Sequence, residues 1–169
     1  MAKSDSFFIR AEITGLTGGT FDQTSIDLGA YVDALGKSVM RIHRVAVQYD
    51  YDGGTPAVNA ANGEARVNFQ LTTQSQTALV NATDKSVIST GHLDVLNASA
   101  VGNTSTFIGD ALDISPQEWT NGYLIGVEQI YLGGSAANFQ LPIGVVVVME
   151  CTVETLSQSA AMALALSQQ

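Results

Sequence analysis

A period-two alternation of apolar and polar residues recurs along this chain between clusters of turn formers. That period buries one face of an extended strand and leaves the other outside. Phe7, Ile9, Ala11 and Ile13 share one side of the first segment, Phe8, Arg10 and Glu12 share the other, and the stretch Gly15 to Thr20 breaks it. Ser38 to Tyr51 starts with Met40 and Ile42 in one phase and continues with Val45, Val47, Tyr49 and Tyr51 in the opposite phase. A β-bulge near His43–Arg44 reconciles the two. The turn-rich stretch Asp52 to Gly63 leads into Ala65, Val67, Phe69 and Leu71, a clean strand. Ser86 to Leu96, Thr104 to Ile108 and Tyr123 to Leu132 read as further strands. Ile143 to Val153 reads as a last one whose Val145–Val148 centre, apolar on both sides, predicts a central strand covered on both faces. Ile26 to Leu35 reads as a short strand followed by a helical turn over Ala30 to Leu35, with Gly36 as its terminator.

About eight strands and turn-rich loops make an all-β antiparallel sandwich the economical packing, and eight strands in two sheets is the jelly-roll count. No period of repeat length is present, which removes propellers and solenoids. The expected organisation is a sandwich over residues 1–153 and a helical tail over 154–169. The tail is rich in Ala, carries Leu156, Met162, Leu164 and Leu166, and has no charge after Glu154. Its apolar residues lie nearly all round the helix, so it is expected to dock onto a neighbouring subunit or a lipid surface. Having no basic residue to attract lipid, it favours protein.

Composition then limits the partners. Only 14% of the 169 residues are charged, against a usual share of about 25%, while 46% are hydrophobic. The chain holds 48 Ser, Thr, Asn and Gln against 23 formal charges, a balance suited to packed contacts because neutral polar groups cost less to desolvate than charges. A net charge of −9 argues against wrapping a nucleic-acid backbone. One cysteine, Cys151, excludes an internal disulfide. The first residues lack the apolar core of a signal peptide, and no apolar run, Val145 to Met149 included, is long enough to span a bilayer as a helix. The expectation is a soluble or peripheral protein made in the cytosol.

Candidate chemistry is sparse. His43 and His92 have no second His or Cys at ligand spacing, and no G-x-S-x-G elbow accompanies them. Asp50 and Asp52 before Gly53–Gly54 resemble a calcium loop but lack its further acidic positions, and they read as turn chemistry. Glu128 and Glu150 on neighbouring strands offer a glycosidase-like pair without a sugar platform; an edge or subunit-interface position is the favoured account. Trp119 and Tyr123 lie close enough in sequence to stack on a sugar, though core anchoring is commoner. The sequons at Asn81, Asn97 and Asn103 occur at chance level in so Ser- and Thr-rich a chain. The expectation is therefore no catalytic, cofactor-binding or metal residue.

Three stretches carry a family resemblance: Phe7-Phe8-Ile9-Arg10-Ala11-Glu12-Ile13 at the first strand, Arg41-Ile42-His43-Arg44-Val45-Ala46-Val47-Gln48-Tyr49, and the valine-rich Leu141 to Val153. With its length and strand count, the chain resembles a small single jelly-roll major capsid protein of an icosahedral virus of the internal-membrane type. The resemblance implies a structural virion protein made in the host cytoplasm. It also implies self-assembly into capsomers, with copies of itself and other capsid proteins as partners, contact with an internal membrane and no direct contact with nucleic acid. Residues 1–10 hold only Lys3 and Arg10 as basic residues, which fits a shell separated from the genome. The alternative is a β-sandwich carbohydrate- or receptor-binding module displayed on a larger assembly; an enzyme such as a glycan hydrolase ranks third.

Overall fold

A computed structural model describes residues 4–33, 36–52, 54–112 and 118–169. It contains nine strands and one helix: β1 (Phe7–Leu16), β2 (Phe21–Asp27), β3 (Ser38–Tyr51), β4 (Gly63–Thr72), β5 (Val87–Asn97), β6 (Phe107–Leu112), β7 (Glu118–Ile125), β8 (Gln129–Ala137), β9 (Ile143–Thr155) and α1 (Gln158–Ser167). The strands form a four-stranded sheet A, ordered β1-β9-β3-β7, and a five-stranded sheet B, ordered β2-β8-β4-β5-β6. All pairings are antiparallel, and four of them nest: β1 with β9, β2 with β8, β3 with β7, β4 with β5. Set β6 apart as an added edge, and this is one long ribbon folded over itself into two sheets, the jelly roll that the alternation pattern predicts.

The alternation also fixes the core. Sheet A turns in Ile13, Met40, Ile42, Val45, Val145, Val147, Met149 and Cys151, and sheet B meets them with Val67, Phe69, Leu71, Val95, Ile130 and Leu132. The phase flip in β3 is a bulge as expected, for the register with β9 shifts between Ile42 and Arg44. Without the extra residue, Val45 through Tyr51 would face outward.

Four expectations need correction. Tyr123 to Leu132 is not one strand: β7 ends at Ile125, residues 126–128 cross between the layers, and β8 begins at Gln129 in the other sheet. The crossing residues Gly126 and Val127 are buried, so the apolar pattern runs on through a connection. The strand after the first turn is Phe21–Asp27 rather than one starting at Ile26, and a single turn follows, in which Asp27 caps the Gly29 amide and Leu28 accepts from Tyr31 and Val32. Ala34 and Leu35, the end of the expected helical turn, lie outside the described residues, as do Lys3 and Gly53. The predicted Thr104–Ile108 strand sits at Phe107–Leu112. Finally, β9 is central but covered on one face only, because Val146 and Val148 stay half-buried on the outer side.

The tail differs from expectation as well. Glu154 and Thr155 belong to β9, and α1 starts at Gln158 with Ser157 as its N-cap. The helix packs on its own sandwich through Ala161, Leu164, Ala165 and Gln168, one narrow stripe at helical spacing. It comes so close that a Cβ on Gly126 would lie 2.9 Å from Leu164 Cγ and 3.0 Å from the Ala165 nitrogen.

Candidate functional site

The side chains with chemical potential are scattered over the sandwich. His43 sits at the β3 bulge with Nε2 3.0 Å from Thr152 Oγ1, in sheet A. His92 lies on β5 in sheet B, 3.6 Å from Asp94. Asp50 and Asp52 are exposed at the end of β3, where the Gly54 amide donates to the Tyr51 carbonyl and closes a turn. Among the described residues no three His, Cys, Asp or Glu side chains are grouped as metal ligands. Glu128 is exposed in the β7–β8 crossing, where its backbone carbonyl accepts from Leu28, while Glu150 stands mid-strand on β9 opposite Phe8 and Arg44. The two carboxylates therefore belong to different parts of the fold. Trp119 and Tyr123 do meet, with ring centroids 5.9 Å apart, but they pack against the core. Burial pushes the Tyr123 phenol above its ordinary range. Cys151 is wholly buried, and desolvation, with Glu150 nearby, holds its thiol up at about 12.

Of the three sequons, Asn97 is fully buried, its amide donating to the carbonyls of Ala60 and Val101 and its oxygen accepting from Ser99. It organises the loop end of the sandwich. Asn81 caps the Thr83 amide in an Asx turn, and Asn103 holds a left-handed φ of 55°.

Three arrangements escape sequence reasoning. Arg41 on β3 donates to both Glu154 carboxylate oxygens on β9 through Nε and Nη2 and to the Asn121 carbonyl on β7 through Nη1, clamping three adjacent strands. Gly122, at φ +69°, makes room, since a Cβ there would run into the Arg41 stem. Gln168 anchors α1: its oxygen accepts from Gly126, its nitrogen donates to Leu124, and its carbonyl accepts from Thr73 and Gln74. Gln70, also buried, holds the β4–β5 loop through Ala78 and Val80. Residue type alone gives no signal for these: Arg41 and Gln168 depend on partners far away in sequence, and Gln70 on the path of the loop that follows its strand.

The surface carries the remaining features. On the outer face of sheet B, Arg66 grips Asp94 at 2.5 and 2.9 Å, which holds the Asp94 carboxyl below the usual range. The pair borders a groove of about 400 Å³ with Glu64, Leu96, Phe107 and Ala137. Exposed apolar side chains include Leu96, Val101, Phe107 and Ile108 at the β5–β6 tip, Met162 and Leu166 on α1, and Phe8 on β1.

No protein-family model matches the sequence, and no curated protein matches it. Solved structures do. VP1 of Trichodysplasia spinulosa-associated polyomavirus, in complex with GM1 oligosaccharide, superposes with a TM-score of 0.50 at 7% identity, covering 89% of this chain and 96% of that one. The likeness is one of fold. VP1 of human polyomavirus 6, solved as a pentamer, gives a TM-score of 0.42 at 10% identity, covering 89% and 97%. Washington University polyomavirus VP1, an unassembled pentamer, gives 0.43 at 6% identity, covering 88% and 93%.

Proposed function

We propose that this chain is a structural virion protein that assembles with copies of itself into capsomers of an icosahedral shell. The observation that carries the reading is the nested jelly roll running through nearly the whole chain, which shares the fold of a viral capsid protein over 89% of its length. Low charge, abundant neutral polar groups and apolar side chains exposed at the β5–β6 tip, on α1 and on β1 support a surface made for contacts. On this reading the protein acts through its surfaces, not through a catalytic, cofactor or metal site, and chelator leaves its melting temperature unchanged. It resides in the virion after synthesis in the host cytoplasm, with other capsid proteins as partners. An internal membrane lies beneath the shell, and the acidic chain makes no direct contact with nucleic acid.

Native mass and negative-stain imaging of the purified full chain test this. Rings or shells are expected; a monomer at every concentration and salt refutes it. A second reading, a carbohydrate- or receptor-binding module, draws on the groove beside Arg66 and Asp94, where a charged, hydrogen-bonding pair borders the Phe107 ring. A monomer whose melting temperature rises with oligosaccharide favours it.

A further inference from the structure

Sheet A ends on β1. β9 pairs with one side of Phe7–Leu16; the other side borders a groove of about 420 Å³ toward β2, lined by Phe8, Arg10, Glu12, Ser25, Asp27 and Tyr31. Natural sheets blunt such an edge with Pro, charged side chains, a short strand or a bulge. In its first seven residues β1 has no Pro and an unbroken register with β9 from Phe7 to Ile13, Phe8 is 56% exposed, and its two charges, Arg10 and Glu12, are of opposite sign. Among the described residues Arg10 makes no ion pair within the chain; its guanidinium lies 5.8 Å above the Phe8 ring.

The edge is complementary to itself. Two copies of β1 run antiparallel and centred on Ala11 set Arg10 opposite Glu12 of the second copy, and Glu12 opposite its Arg10. Ile9 then meets Ile13, and Phe8 meets Thr14. Residues opposite one another share a face, so two ion pairs lie on the outer side while Ile9, Ala11 and Ile13 continue the inner apolar row. Opposed positions differ by an even number, so the backbone groups pointing away from β9 in one copy meet the same set in the other. Centring on Arg10 instead opposes Arg10 to itself and Phe8 to Glu12. Centring on Glu12 opposes Glu12 to itself. Charge thus selects one register. We propose that the β1 edge is a contact between two copies of this chain, paired about a two-fold axis at Ala11 into one continuous eight-stranded sheet. The contact rests on the self-association reading above and names a surface that carries it.

Sedimentation of the full chain and three variants tests it, with circular dichroism to establish that each variant folds. Arg10→Glu and Glu12→Arg should each weaken association about tenfold, because each replaces two attractive pairs by two like-charge pairs. The double reversal Arg10→Glu/Glu12→Arg should restore it. Amides of Phe8 to Glu12 that do not bond to β9 should exchange slowly in the associated wild type and quickly in the single variants. A wild type that stays monomeric overturns both the self-association reading and this contact. A wild type that associates, but is indifferent to the single reversals or not rescued by the double one, overturns the β1 contact alone.

Discussion

Two arginine–carboxylate pairs in one molecule, both held through two nitrogen–oxygen contacts, provide an internal comparison of buried and exposed electrostatics. The Arg41–Glu154 pair is 17% and 2% exposed, and the Arg66–Asp94 pair 56% and 36%. Truncating Glu154 leaves the Arg41 guanidinium largely out of water with only the Asn121 carbonyl to satisfy it. Breaking a buried pair from one side costs about 3–5 kcal/mol, which in a domain of this size lowers the melting temperature by roughly 6–20 °C. Asp94→Ala removes a pair that water replaces, at a cost of about 0–1 kcal/mol. Urea unfolding of Glu154→Ala, Arg41→Ala and the double variant, alongside Asp94→Ala, measures both. The double-mutant cycle should show a coupling of about 2 kcal/mol or more for the buried pair. If Glu154→Ala costs no more than Asp94→Ala, the clamp across β9, β3 and β7 is not a stabilising device and the reasoning fails.

The buried Cys151, with its thiol raised to about 12, should resist thiol reagents in the native protein at pH 8 and react fully in denaturant; stoichiometric native labelling contradicts this burial. Tyr51 has a buried hydroxyl without a hydrogen-bond partner among the described residues, so Tyr51→Phe should leave stability unchanged or raise it by up to about 1 kcal/mol in thermal unfolding. Gln168→Ala leaves Gly126 and Leu124 without their side-chain partner and should cost about 1–3 kcal/mol, with faster hydrogen exchange in α1 and an unchanged β signal in circular dichroism. Asp84, whose carboxylate accepts from the Ser86 amide and hydroxyl, has its folded pKa depressed below 3.8. The contribution of this turn is therefore complete above that value and fades as pH falls through the lower folded one, which the Ser86 amide resonance in an acid titration should follow.

The strands were legible wherever alternation met turn formers. β3 even revealed its bulge, because one inserted residue inverts the phase for everything after it. β2 was obscured because Phe21–Asp27 offers only Phe21 and Ile26 as apolar marks. The β7–β8 crossing was hidden for the opposite reason: Ile125 and Val127 keep an apolar rhythm while the chain changes layer, and burial of a tight connection looks like burial of a strand. The helix could be read from its Ala and Leu content, but not its seat, which depends on Gly126 and on hydrogen bonds that Gln168 accepts from groups 42 and 95 residues away. The outward placement of Met162 and Leu166, 42% and 68% exposed, follows from that seat, since the helix turns its small residues inward.

The nesting of the strands governs the order in which the chain can fold as it is made. β1 must wait for β9, and so must one side of β3, so that sheet A has no centre until Ile143–Thr155 has left the ribosome. Before then, β4 and β5 are the first strands that can pair with the neighbour next in sequence. Closure proceeds outward from that hairpin, with long loops to bring together, which makes folding slow for its size. Val145–Val148, the run with the strongest β-aggregation character, sits in the strand made last. It emerges when every partner it needs is already present, and its time exposed is set by docking into a waiting slot between β1 and β3, not by the pace of synthesis.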